Sequence, residues 1–106
     1  MQKIESESFK PVAHVEADLQ SLIPSFLNNR KRDILELRKA VETTDFNDLE
    51  RIGHILKGVS ASYGFDKLGE YGAILEAQAK AGALQKCDAV VNLMSTYMQD
   101  VVVVYV

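Results

Sequence analysis

The sequence predicts an all-α domain: an up-and-down antiparallel four-helix bundle with an additional short N-terminal helix. From about Val15 onward apolar residues recur at spacings of three and four, and no segment of any length alternates with period two. The stretches between the apolar stripes are short, which favours antiparallel neighbours. The chain has 106 residues, 47% of them hydrophobic and 25% charged, enough for one core and too little for a second lobe. Residues 1–14 are expected to form a flexible N-terminal segment and residues 15–106 the bundle.

Leu19, Leu22 and Ile23 mark the short first helix. Pro24 then falls in the first turn of a second helix or at a kink, positions that tolerate the missing N–H. The second helix is predicted from Pro24 to about Glu42, with Phe26, Leu27, Ile34, Leu37 and Val41 on its stripe and Arg30 among them. The triplet Arg30-Lys31-Arg32 reads as a solvated helix face. Thr43-Thr44-Asp45 breaks the pattern, and Thr44 or Asp45 can cap a third helix that runs to about Tyr63. Gly64 stands where helices end in a left-handed residue, and Asp66 can cap the next start. The fourth helix carries Leu68, Tyr71, Leu75 and Gln78 in register and stops near Gly82; a fifth begins close to Leu84 and carries Cys87, Val90, Val91, Met94, Tyr97 and Met98. The terminal run VVVVYV suits either a helix end or a strand-like tail, because β-branched residues are indifferent helix formers. It is read as helix that frays.

Composition narrows the function. A net charge of −3 gives no electrostatic reason to expect nucleic acid or an anionic membrane as partner. The single cysteine, Cys87, can form no internal disulfide, and zinc-ribbon sites need several ligands at set spacings, so a reduced compartment fits. The N-terminus is polar and acidic where a signal peptide would be apolar, and the longest apolar run is far short of the ~20 residues of a membrane span. A cytoplasmic monomer without membrane insertion is expected.

The third helix holds the candidate site. Leu49, Ile52, Leu56, Val59 and Tyr63 form one stripe that must face the core. At roughly 100° per residue, His54 falls about 180° from the centre of that stripe. Asn47, Glu50, Arg51, Lys57, Gly58 and Ala61 share its hemisphere, with Lys57 and Gly58 as the neighbours one turn on. Glycine inside a helix costs about 1 kcal/mol relative to alanine. Burial cannot explain Gly58 or Ala61, since neither faces the core; a bulky visitor approaching the imidazole would. Lys57 adds a cation beside that visitor, so the histidine suits an anion better than a metal, for which Glu50 is the one further ligand on this face. General-base catalysis would need a pocket and an orienting partner, and no serine or cysteine is tied to His54 as a nucleophile. Ser60 lies toward the core, and His14 carries no motif.

The run His54-Ile55-Leu56-Lys57-Gly58-Val59-Ser60-Ala61-Ser62-Tyr63-Gly64-Phe65 closely resembles the signature of histidine-containing phosphotransfer (HPt) domains: His, any residue, an aliphatic, Lys, Gly, then small residues and a closing Gly. Leu22 to Leu27, Asp45-Phe46 and Leu75-Glu76 extend the resemblance to about Leu19 through Tyr105. Val59 departs from the small or polar residues frequent at its position, but it lies in the core stripe.

The resemblance implies a phosphorelay carrier with His54 as phosphoacceptor through Nε2, Lys57 stabilising the added charge, and Gly58 clearing space for docking. Ala61, Arg51 and Glu50 would complete the docking surface. The implied partners are receiver domains of response regulators or of hybrid histidine kinases. The chain itself would need no cofactor, since the receiver supplies magnesium. No Gly-x-x-x-x-Gly-Lys loop or kinase ATP motif occurs, so the chain is expected to be a carrier rather than an enzyme. Gly69, Gly72 and Glu76 fall along one flank of the fourth helix, where the glycines could bring Glu76 near His54; otherwise Glu76 is a solvated carboxylate. Two alternatives stand beside the carrier: the phosphoaccepting domain of a chemotaxis-type kinase, and a helical module that docks receivers without transferring phosphate.

Overall fold

The structure, a computed structural model, describes residues 10–106. Strand β1 (Val12–Val15) leads through a 3-10 helix (Ala17–Leu22) into four α-helices: α1 (Ile23–Glu42), α2 (Phe46–Ser62), α3 (Asp66–Lys80) and α4 (Leu84–Asp100). Strand β2 (Val102–Tyr105) follows. The short first helix is thus a 3-10 turn that runs directly into α1, with Pro24 in the first turn of α1.

The all-α expectation is corrected by the two strands. The run VVVVYV does not fray as helix. Val101 turns extended, with ψ 134°, and β2 pairs in parallel with β1, Val12 opposite Val102 and Val15 opposite Tyr105. Flanking bonds from Val102 N–H to the Pro11 carbonyl (2.8 Å) and from Ala17 N–H to the Val106 carbonyl (2.9 Å) hold the pair at both ends. β-Branched residues suit this extended pairing better than another helical turn. The expected flexible segment 1–14 lies outside the described residues as far as residue 9; from Val12 its residues belong to β1, where Ala13 and Val15 are buried.

Local chemistry sets the helix ends. Asp45 caps α2 by accepting a hydrogen bond from the Asp48 N–H at 3.1 Å. Asp66 is the first residue of α3 rather than its cap, and the cap position is held by Phe65, which is fully buried. Gly64 has φ +90°, and a Cβ there would lie 2.3 Å from the His14 carbonyl oxygen, so conformation and space both demand glycine.

The core joins Leu37, Leu49, Leu56, Leu68, Leu75, Val91 and Met94 from all four helices. Phe26 stacks on Tyr63 and Phe65, with ring centroids 4.6 and 4.8 Å apart. Arg30 falls on the apolar stripe of α1 because its guanidinium covers the Phe26 ring at 5.1 Å and pairs with Asp33 at 2.8 Å. The basic triplet is therefore split, with Arg30 half-buried while Lys31 and Arg32 are exposed.

Candidate functional site

Helices α2 and α3 approach with unusual closeness, and the site depends on it. A Cβ on Gly72 would lie 2.7 Å from the Lys57 nitrogen and 2.8 Å from the Gly53 oxygen; one on Gly53 would lie 3.0 Å from the Glu76 nitrogen. The two backbones meet where neither helix carries a side chain. One turn beyond Gly72, the Glu76 side chain therefore reaches across to α2.

His54 stands at the middle of α2 with its side chain 66% exposed, and its Nδ1 lies 2.9 Å from Oε2 of Glu76. Lys57 Nζ lies 3.0 Å from Oε1 of the same carboxylate, and Lys80 Nζ lies 3.7 Å from Oε2. Glu76 is itself only 13% exposed. It is the hub of the site, a largely covered carboxylate shared by one imidazole and two ammonium groups.

The hydrogen bond from Lys57 holds the Glu76 carboxyl below the usual glutamate range; burial opposes this, and the contact with His54 adds to it. A carboxylate only accepts, so Nδ1 of the neutral ring carries the hydrogen and Nε2 keeps its lone pair. Because the folded pKa is depressed, the contribution of Glu76 to stability is present above the ordinary glutamate pKa and is lost as pH falls through the lowered value. A carboxyl-carbon NMR titration should place the Glu76 midpoint below the ordinary glutamate value. A midpoint at or above that value would contradict the geometry.

The other expected residues gather on both sides of His54. A shallow cleft of about 470 Å³ is lined by Asn47, Glu50, Arg51, His54, Ile55 and Glu76. The Arg51 guanidinium is drawn back toward Asp48 at 2.7 Å and Glu36 at 4.0 Å. On the other side, a hollow of about 430 Å³ includes Lys57, Ala61 and Gly69. Gly58 is exposed, and a Cβ there would meet nothing within 4 Å. Glu76 thus lies against His54 and is not a solvated carboxylate.

Gly53 and Lys80 were not singled out from the sequence. Gly53 had a local signal, being an interior glycine on the buried side of α2; Lys80 had one in its place four residues after Glu76. Among the described residues no group of three or more His, Cys, Asp or Glu side chains could hold a metal ion, and no helix is long and apolar enough to cross a membrane.

The chain is similar to known proteins. A family model described as "Hpt domain" matches residues 21–102. Multistep phosphorelay regulator 1 of Schizosaccharomyces pombe (strain 972 / ATCC 24843) is 32% identical over 76 residues, which cover 72% of this chain and 25% of that protein. The chain thus spans about a quarter of the length of the curated relative it matches. No solved structure matches significantly.

Proposed function

Because the chain belongs to the Hpt domain family, whose model covers residues 21–102, we propose that it is a phosphorelay carrier whose His54 accepts a phosphoryl group from a receiver aspartate and passes it to another. The observation that carries this reading is the Glu76 carboxylate on Nδ1 of an exposed imidazole, 2.9 Å away. It fixes the tautomer in which Nε2 is the nucleophile. It also faces the positive charge that the ring acquires when Nε2 attacks.

In the transfer, the Nε2 lone pair forms a bond to phosphorus as the acyl–phosphate P–O bond breaks, and the receiver aspartate leaves as carboxylate. The Nδ1–H, held by Glu76, keeps the phosphorylated ring cationic. In the reverse step that same proton lets the imidazole leave as a neutral group. Lys57, paired with the same Glu76 carboxylate as the imidazole, neutralises phosphoryl oxygens. Positioning and charge suffice for this chemistry, and the receiver contributes magnesium.

The test is to mix the protein with a phosphorylated receiver and look for acid-labile, base-stable phosphate on it. Binding without label from several receivers would favour the non-transferring docking module. Label only from an ATP-binding kinase domain would favour the chemotaxis-type reading. Within this scheme Glu76→Gln keeps an acceptor for Nδ1–H but loses the charge, and is expected to slow transfer about tenfold. An unchanged transfer rate would remove Glu76 from the mechanism.

Gly58 offers an independent check on docking. Gly58→Phe adds bulk in open space on the exposed face. It should weaken receiver binding about tenfold or more while leaving far-ultraviolet circular dichroism unchanged, since phenylalanine is the better helix former. Unaltered affinity in calorimetry would show that receivers dock elsewhere.

A further inference from the structure

Glu76 cannot serve all its neighbours once His54 is phosphorylated. In the unmodified protein Lys57 holds Oε1 at 3.0 Å, while His54 holds Oε2 at 2.9 Å. A phosphoryl group on Nε2 brings close to two negative charges and three strong acceptor oxygens to a ring whose neighbour one helical turn on is Lys57. If Lys57 turns to those oxygens, the Glu76 carboxylate is left beside a dianion with one cation fewer. Lys80 stands one turn further along α3, 3.7 Å from Oε2, just beyond hydrogen-bond distance. Its stem is flexible and its side chain exposed, so less than an ångström of movement closes the gap.

Resting on the carrier reading above, we propose that Lys80 is the exchange counter-ion of the site: it takes over Glu76 as Lys57 moves to the phosphoryl group. Once Lys57 has turned to the phosphoryl group, Lys80 is the cation left on the Glu76 carboxylate; without it that carboxylate faces the dianion with no ammonium partner. The phosphorylated state, which adds negative charge, feels that difference most. Lys80 therefore shifts the transfer equilibrium toward histidine and acts through Glu76, without contact with the phosphorus. The arrangement also makes transfer reversible in small steps, since each cation always has an anion within reach.

The experiment measures how much phosphohistidine forms at equilibrium. Phosphoramidate, which phosphorylates imidazole with loss of ammonia and needs no partner protein, is added at a fixed ratio to ammonium, and the phosphohistidine level is read by phosphorus NMR. The same variants are then equilibrated with a phosphorylated receiver. Lys80→Gln is expected to lower the phosphohistidine-to-histidine ratio about threefold in both assays, and Lys80→Arg to restore it. In a Glu76→Gln background the further change Lys80→Gln should have no effect, because no carboxylate remains to be neutralised.

A ratio for Lys80→Gln equal to that of the parent chain overturns the proposal. So does a threefold loss that persists in the Glu76→Gln background, which would mean that Lys80 attracts the phosphoryl group directly. If the parent chain is labelled by phosphoramidate but by no receiver, the carrier reading falls, and the role of Lys80 is still decided by the ammonium equilibrium.

Discussion

The His54→Gln variant takes up no detectable phosphoryl group from a phosphorylated receiver, a loss on the order of a thousandfold or more, while its melting temperature stays close to that of the parent chain. The two halves of this expectation have separate origins. His54 is the nucleophile of the proposed reaction, and glutamine has no nitrogen lone pair to replace Nε2. Yet the ring is 66% exposed on the middle of α2, and its hydrogen bond is to Glu76, which keeps Lys57 and Lys80 as partners. Little packing is lost, and glutamine is a good helix former. Labelling of the variant at parental levels would move the phosphoacceptor elsewhere. His14→Gln is the natural control, since that exposed histidine on β1 should be dispensable for labelling.

Gly72→Ala is expected to be the most damaging single methyl group at the contact between α2 and α3. Its Cβ would sit 2.7 Å from the Lys57 nitrogen, 2.8 Å from the Gly53 oxygen and 3.0 Å from the Leu56 Cβ. Two of these are backbone atoms that cannot swing aside. Alanine would gain about 1 kcal/mol of helix propensity, but forcing the helices apart costs about 3 kcal/mol, so the clash decides the sign. The net loss of about 2 kcal/mol corresponds to a fall in melting temperature of roughly 8–16 °C. Moving α3 outward also carries Glu76 away from His54, so phosphoryl uptake should fall with stability. Gly58→Ala makes the opposite prediction: open space lies around that position, and the variant should gain up to about 1 kcal/mol. Thermal melts of both variants test the pair, and a Gly72→Ala protein as stable as its parent would contradict the close approach of α2 and α3.

The features legible in the sequence are those encoded within one helix. The wheel placed His54, Lys57, Gly58 and Ala61 on the exposed side of α2, where the structure has them, because an apolar stripe defines its own opposite face. Asp45 at the start of α2 and Gly64 after its end were visible because caps are local chemistry. Glu76 was only half visible. Gly69 and Gly72 hinted at a close approach, but the partner surface, Gly53, belongs to another helix, and no spacing along one chain says which glycines face each other. The strands were hidden for a related reason. Four residues are too few to establish a period, β2 shows no in-and-out alternation, and its partner lies at the other end of the chain.

That last pairing also bears on the order in which the molecule assembles. Contacts between residues far apart in sequence demand the largest loop closure, so they form late unless something else has already brought the ends together. The helices are that something: their turns and neighbouring contacts are local, and once α1 and α4 lie side by side, β1 and β2 are delivered to each other. The strand pair should therefore be absent from the rate-limiting barrier to folding. Weakening it with Val102→Pro, which removes the N–H bonded to the Pro11 carbonyl, should leave the folding rate nearly unchanged and speed unfolding. The clasp of the two strands is then a brake on opening that plays no part in closing, and stopped-flow refolding of the proline variant would reveal it as such.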